Sequence, residues 1–180
     1  VAATSYELAK KAIALAKIDY LESTPILTIE QALAKQSFVR PPHTMKRGNS
    51  ETAIKKAKHQ LKGSLAIGGQ EHFYLEGQVA SVIPTEDGGM MVYSSSQHPA
   101  EVQKLVAEVL AISFNRVVVD MKRMGGGFGG KETQAAGWAC LAAILADKTQ
   151  KPVKLRLNRS DDMMMTGKRH PFESHYQVGF

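Results

Sequence analysis

The segment Met121–Thr133 (MKRMGGGFGGKET) has the residue types and spacing best suited to binding chemistry, because five of the chain's 15 glycines lie within it. A glycine reaches positive φ at little steric cost, so a row of glycines lets backbone N–H groups turn towards a group that approaches closely. The long apolar run after Thr133 predicts a helix, whose free N–H groups and dipole add positive potential. The pattern therefore indicates a site for an anion, an oxyanion or an oxo group.

The spacing of these glycines also matches two nucleotide-binding patterns in part. The run from Gly125 to Gly130 fits the dinucleotide fingerprint G-x-G-x-x-G, but the next predicted strand ends at 157–160 (LNRS) without the acid that the fingerprint needs. With Lys131 the same run resembles a P-loop, but Glu132 stands where a P-loop needs a Mg²⁺-binding hydroxyl. A nucleotide-binding module is therefore the alternative of another class, and a purely structural tight turn is a further one.

Two polar side chains are candidates for contacts with a ligand. Gln97 follows a predicted strand and precedes a predicted helix, a place where sites of α/β folds collect, and its neutral amide can donate to an oxo ligand without adding charge. From spacing alone, a solvated loop glutamine is the favoured interpretation. Glu132 lies in the predicted first turn of the helix, where the dipole stabilises a carboxylate; in a pocket it could hydrogen-bond a polar heterocycle. Cys140 lies in an apolar segment and is interpreted as a small buried residue.

The elements that must position these residues predict a mixed α and β fold of the α+β class. Capping boxes and apolar spacing predict the helices, and runs of β-branched residues bounded by turn signals predict the strands. Residues 159–172 carry no clear pattern and are predicted to be irregular. The predicted helices are 4–17, one short helix after Thr28, 51–58, 99–110 and 133–147; the predicted strands are 18–21, 60–67, 73–83, 90–95, 117–122, 151–157 and 174–180.

Composition narrows the class of protein. The chain of 180 residues is 43% hydrophobic and 22% charged, with a formal net charge of +6, so an anionic ligand is mildly favoured. Its Lys and Arg are scattered, and the cluster at 55–58 predicts a solvated helix face rather than a nucleic-acid surface.

The single Cys fits a reducing compartment, and we expect a cytoplasmic protein. No apolar run approaches the roughly 20 residues of a membrane helix. The absence of an initial Met and the strand-like end predict an excerpt of a longer protein.

Four motifs in order resemble one family, the xanthine dehydrogenase and aldehyde oxidase family of molybdenum hydroxylases, in its molybdopterin-binding region. The resemblance is strong from 60 to 180 and weaker over 1–35, which is similar to the tail of a hammerhead domain. Residues 36–50 are polar, contain Pro41-Pro42 and lack periodicity, which predicts a linker or a long connecting loop. The resemblance implies the first part of a molybdopterin-binding domain at 51–180. The motifs are GGQEHFYLE at 68–76, SSQ at 95–97, KRMGGGFGGKET at 122–133, and NRSDDM with TGKRHPF at 158–163 and 166–172.

The resemblance implies an enzyme that oxidises hypoxanthine and xanthine to urate with water as the oxygen source, or, as an alternative, an aldehyde oxidoreductase. It implies Mo-molybdopterin as cofactor, with [2Fe–2S] clusters and FAD on another chain or segment, because the cysteine clusters of the family are absent here. The implied partners are a purine substrate and the Fe–S/FAD unit, in a homo-oligomer of heterodimers. The pair after Gln97, His98-Pro99, resembles bacterial-type members of the family.

The resemblance also implies roles for residues of the two central motifs. Gln97 and the backbone N–H of Phe128 would hydrogen-bond the oxo group of the molybdenum, and Gly126 and Gly127 would lie near the pterin. Glu132 would hydrogen-bond the substrate ring, and a glutamate at this position is similar to the purine-oxidising members. The catalytic base of the family is expected beyond residue 180, so no catalytic residue is assigned within the chain.

Overall fold

A computed structural model describes residues 1–180, which fold into two compact units. One unit contains residues 1–18 and 71–168, and the other contains residues 19–70 and 169–180. The helices are α1 (Tyr6–Ile13), α2 (Ile29–Ala34), α3 (Ser50–Lys56), α4 (Pro99–Leu110), α5 (Gln134–Thr149) and α6 (Arg159–Met165). The strands are β1 (Gln60–Ile67), β2 (Val79–Pro84), β3 (Met90–Ser94), β4 (Val117–Asp120), β5 (Val153–Arg156) and β6 (Phe172–Gly179). The predicted mixed α and β class is confirmed.

The larger unit is built on a four-stranded sheet with the order β4-β3-β2-β5. Strands β2 and β3 form an antiparallel hairpin, in which Val82 pairs with Val92. Strand β4 pairs in parallel with β3, after the crossover helix α4 has returned the chain to the same end of the sheet. Strand β5 then pairs antiparallel with β2 on the far side. The loop between β4 and α5 therefore begins at one edge of the sheet, and α5 carries the chain across to the other edge.

Helices α4 and α5 pack on the sheet and form the core of this unit. The side of α5 that faces the sheet is made of alanines, and the six buried ones have between 0 and 2% of their surface exposed. Small side chains let a helix backbone approach the strands closely, which explains why so apolar a segment contains so few large residues. The half-buried Cys140 packs against the same core, and burial raises the pKa of its thiol, as expected of a small packing residue.

The smaller unit contains a two-stranded antiparallel ribbon of β1 and β6, paired from Gln60 with Gly179 to Ile67 with Phe172. Helix α3 packs on β6, where a Cβ on Gly179 would lie 2.8 Å from that of Ala57. The predicted strand at 60–67 is confirmed with the same bounds.

The structure corrects several local predictions. Residues 18–21 and 73–78 form no strand, and α1 ends at Ile13 rather than near 17. The segment predicted to be irregular contains α6, which Asn158 caps by accepting a hydrogen bond from the N–H of Asp161 at 2.8 Å. Its apolar residues are three consecutive exposed methionines, so the helix lacks the spaced apolar stripe that reveals a helix in a sequence. None of the helices is both long and apolar enough to cross a membrane.

Gly137 offers a direct test of how α5 is stabilised. It lies on the exposed side of the helix, and no heavy atom comes within 4 Å of the position that a Cβ would take. Glycine in a helix interior costs about 0.5–1 kcal/mol relative to alanine. We expect Gly137→Ala to raise the free energy of unfolding by about that amount, measured by urea unfolding. An unchanged or lower value would show that α5 does not set the stability of this unit.

Candidate functional site

The glycine loop, defined as Met121–Thr133, has an unusual backbone between β4 and α5. Positive φ angles occur at Gly126 (95°), Phe128 (52°) and Gly129 (87°). A bulky residue in this region of φ costs on the order of 1–3 kcal/mol, and such strain is concentrated at functional sites. The ring of Phe128 is 74% exposed, so its own burial does not compensate for that cost. The surrounding structure must therefore hold the loop in this shape.

Three consecutive N–H groups of the loop have no acceptor within the chain. The N–H groups of four neighbouring loop residues are used: Gly125 donates to Glu76 Oε2, Gly130 to the Gly127 carbonyl, and both Gly129 and Lys131 to Gln97 Oε1. The N–H groups of Gly126, Gly127 and Phe128 donate to no protein atom. Positive φ at Gly126 and Phe128, but not at Gly127 between them, is the kind of alternating backbone in which successive N–H groups can form an anion-binding nest.

Gln97 lies against this loop, although the two are about thirty residues apart in sequence. Its Oε1 accepts hydrogen bonds from the N–H groups of Gly129 (2.9 Å) and Lys131 (3.2 Å), and its own N–H donates to the Lys131 carbonyl at 2.8 Å. A Cβ on Gly127 would lie 2.5 Å from Gln97 Oε1. Because two N–H donors fix the amide oxygen, the Nε2 of Gln97 remains as a donor.

A buried polar network supports the loop from beneath. The Gly130 carbonyl accepts from Gln78 Nε2 at 2.9 Å, and the same nitrogen donates to the Tyr74 hydroxyl at 3.0 Å. Tyr74 in turn donates to Asp162 Oδ1 at 2.7 Å, and the Gln78 N–H donates to Asp162 Oδ2 at 2.5 Å. Burial, reinforced by the Asp162 carboxylate, raises the pKa of Tyr74, so the hydroxyl remains a donor. Sequence reasoning did not assign these residues to the site.

A second cluster joins the loop to the segment before β2. Lys131, whose side chain has no exposed surface, donates from Nζ to Glu76 Oε2 at 3.0 Å and to Ser95 Oγ at 2.9 Å. Ser95 also donates to the same Glu76 oxygen. Burial by itself would raise the pKa of Glu76, but the hydrogen bonds from Ser95, the Gly125 N–H and Lys131 outweigh it, and the pKa lies below its ordinary value. Glu76 is therefore a carboxylate at neutral pH.

Glu132 lies at the exit of the loop, with an exposed side chain. The prediction that it occupies the first turn of the helix is wrong, because α5 begins at Gln134 and Thr133 is its N-cap residue. No hydrogen bond or ion pair within the chain involves the Glu132 carboxylate, which remains free to accept from a ligand. Glu132 thus follows directly after Gly129–Lys131, the part of the loop that is hydrogen-bonded to Gln97.

The free donors at the loop define what it can bind. Three N–H groups and the Gln97 amide are neutral, so they suit an oxygen with partial negative charge better than a bare metal ion. No group of three His, Cys, Asp or Glu side chains is arranged to hold a metal ion. The neutral donors fit an oxygen bound to a metal that a cofactor would hold by its own ligands. A nucleotide is disfavoured further, because Asp162, beyond the next strand, is 1% exposed and fully used inside the fold.

This site and fold agree with a known family. The family model described as "Molybdopterin cofactor-binding domain" matches residues 32–180, and the chain therefore belongs to that family. Among solved structures, the aldehyde oxidoreductase from Desulfovibrio gigas superimposes with a TM-score of 0.86 and 25% sequence identity. The superposition covers 98% of this chain and 20% of that one.

Two curated relatives define the group more narrowly. The chain is 42% identical over 181 residues to xanthine dehydrogenase/oxidase of Gallus gallus. This match covers 100% of this chain and 13% of that protein. It is also 45% identical over 182 residues to aldehyde oxidase 3 of Rattus norvegicus, and this match covers 100% of this chain and 14% of that protein. The predicted membership of the xanthine dehydrogenase and aldehyde oxidase family of molybdenum hydroxylases is confirmed. The chain spans about one seventh of the length of these relatives.

Proposed function

We propose that the chain forms the oxo-binding wall of a Mo-molybdopterin site in an enzyme that oxidises hypoxanthine and xanthine to urate with water as the oxygen source. One observation carries the proposal: three free N–H groups lie beside a glutamine whose amide oxygen the loop itself fixes. Family membership supports the cofactor, and the xanthine dehydrogenases among the relatives support the substrate class.

In this proposal, Gln97 Nε2 and the Phe128 N–H donate to an oxo group, and Gly126 and Gly127 lie near the pterin. When bound, the cofactor supplies the metal centre that takes up the electrons of the substrate. The chain contributes neutral donors in fixed positions, which stabilise negative charge on oxygen without reorganising during the reaction. The absence of a Cβ at Gly127 lets the Gln97 side chain pack against the loop, since three of its atoms lie within 3 Å of the Cβ position.

Glu132 is proposed to bind the substrate ring, because its exposed carboxylate follows the loop directly and has no partner in the chain. The catalytic base is proposed to come from outside these 180 residues. The remaining partners of the proposal are a unit with [2Fe–2S] clusters and FAD, in a homo-oligomer of heterodimers of the bacterial type. A cytoplasmic location fits the single Cys, which needs a reducing compartment to remain a thiol.

The metal and substrate of the full-length protein test the proposal together. We expect the purified protein to contain molybdenum and molybdopterin in near-stoichiometric amounts and to oxidise xanthine with an electron acceptor. Mass spectrometry of the metal and chromatography of the released pterin measure the first, and urate absorbance measures the second. Active protein without molybdenum would overturn the proposal. A molybdenum protein that oxidises aldehydes and not purines would select the alternative, an aldehyde oxidoreductase, which the relative from Rattus norvegicus favours.

Glu132→Val separates the two substrate classes. The valine removes one charged hydrogen-bond acceptor, which is worth about 1–3 kcal/mol, or roughly 5- to 150-fold in kcat/KM for a substrate that uses it. We expect this loss for xanthine and a much smaller loss for an aldehyde such as benzaldehyde. Glu132→Gln is the matched control, because it keeps one carbonyl acceptor and should lose less. Equal losses for both substrates would remove the substrate role of Glu132.

A further inference from the structure

The two ends of the curved part of the glycine loop bind the same carboxylate oxygen. The Gly125 N–H and Lys131 Nζ each donate to Glu76 Oε2 at 3.0 Å, although Glu76 lies 49 and 55 residues away in sequence. The Glu76 N–H also donates to the Gly125 carbonyl at 3.1 Å. One residue outside the loop thus closes the loop across its base.

The burial of Lys131 contrasts with the exposure of the loop around it. Its side chain has no exposed surface, whereas the neighbouring Phe128 is 74% exposed. The ammonium is fully surrounded by partners: Glu76, the Ser95 hydroxyl, and the face of the Tyr74 ring, whose centroid is 4.8 Å from Nζ. A buried ion pair contributes little net stability, because desolvation of the charges offsets their attraction, and one of its best-attested uses is to select a particular geometry.

The ion pair of Glu76 and Lys131 also explains how the loop keeps its strained backbone. A loop with positive φ at an aromatic residue relaxes unless its ends are held, and nothing packs on the Phe128 ring firmly enough to hold it. The Gln97 amide holds the C-terminal half through Gly129 and Lys131. The N-terminal half is held through Gly125, and only Glu76 joins that end to Lys131.

We propose that Glu76 and Lys131 are positioning residues that clamp the glycine loop in the curvature that leaves the N–H groups of Gly126, Gly127 and Phe128 without an acceptor in the chain. They touch no ligand themselves and act through the loop. The identity of the bound group rests on the proposed function, but the clamp itself does not. With the clamp removed, the loop should sample other curvatures, so that these three N–H groups lose their fixed arrangement.

Hydrogen exchange in protein without cofactor tests the clamp directly. The full-length protein is prepared from cells that cannot make molybdopterin, so that loss of cofactor does not itself alter the exchange. In Lys131→Met and in Glu76→Gln, we expect the peptide that covers residues 121–133 to exchange at least tenfold faster than in the wild type. Lys104→Met, which breaks an exposed ion pair with Glu108 on α4, is the control and should leave that peptide unchanged.

A second measurement uses protein from cells that make the cofactor. We expect the molybdenum content of both clamp variants to fall at least fivefold, and that of Lys104→Met to remain at the wild-type level. If Lys131→Met does not fold, Glu76→Gln decides, because its amide still accepts from the Gly125 N–H and removes only the charge. Wild-type exchange in the loop together with a lower unfolding temperature would mean a stabilising ion pair only and would overturn the clamp. Faster loop exchange in the two clamp variants, together with a wild-type protein that contains no molybdenum when the cells make the cofactor, would support the clamp and overturn the proposed function.

Discussion

Gly127→Ala is expected to lower the proposed molybdenum-dependent oxidation by about a hundredfold or more while the protein remains folded. The added Cβ would lie 2.5 Å from Oε1, 2.7 Å from Cδ and 2.8 Å from Cγ of Gln97, and no pair of such atoms tolerates that distance. Gln97 cannot withdraw without breaking its bonds to the N–H groups of Gly129 and Lys131. Either the loop or the glutamine must therefore move, and a displacement of about 1 Å in a positioned group costs on the order of 100-fold in rate.

The same change at Gly137 is the control for this experiment. It also adds one methyl group, but in open space on α5, so activity and molybdenum content should stay at the wild-type level. The assay compares turnover per molybdenum as well as per protein, because the first reports the geometry of the site and the second also reports cofactor retention. Wild-type turnover in Gly127→Ala would show that contact between Gln97 and the loop is not needed.

Asp162→Asn is expected to destabilise the larger unit by about 3 kcal/mol. The carboxylate is 1% exposed and accepts from the Tyr74 hydroxyl and the Gln78 N–H with its two oxygens. An asparagine has one acceptor oxygen, so its NH₂ group must face one of these two donors. Each hydrogen bond to a buried charged group is worth about 1.5–3 kcal/mol, and the unpaired donor adds its own desolvation cost. Urea unfolding of the full-length protein, followed by a probe in this unit, measures the loss.

The neighbouring carboxylate provides the control. Asp161 is exposed and contacts only Asn158 at the start of α6, so Asp161→Asn should change the free energy of unfolding by less than about 0.5 kcal/mol. Tyr74→Phe removes two bonds of the network, but Gln78 Nε2 keeps its bond to the Gly130 carbonyl, so we expect an intermediate loss of about 1–2 kcal/mol. Equal losses for the two aspartate variants would mean that burial of Asp162 does not matter.

Asp162 also connects stability to the site. It orients Tyr74 and Gln78, and Gln78 holds the Gly130 carbonyl. If Asp162→Asn still folds, we therefore expect its molybdenum content to fall while its secondary structure, measured by circular dichroism, is retained. The glycine loop thus depends on two separate supports, the network beneath Gly130 and the ion pair across its base.

Much of the fold follows from local patterns in the sequence. Strand β1 has its predicted bounds, Thr28 caps α2 as its capping box predicts, and Pro99 is the first residue of α4. Local signals suffice here because a cap or a turn is decided by residues three or four positions apart. Local signals fail for α6 and for residues 73–78. There the structure depends on contacts between residues far apart in sequence, and the apolar residues show no regular spacing. Tyr74 and Gln78 are buried by the loop and by Asp162, and no spacing within their own segment reveals it.

The sequence by itself determined that residues 121–133 could form a loop with positive φ, and its motifs identified the family. Only the tertiary structure decided which N–H groups are free and which are used. That outcome depends on Gln97 and Glu76, which reach the loop from other segments and take up the N–H groups of Gly125, Gly129 and Lys131. Lys131 makes the same point, since a lysine in a sequence predicts an exposed side chain. It is buried here because a distant carboxylate compensates its charge, and sequence spacing carries no information about such a partner.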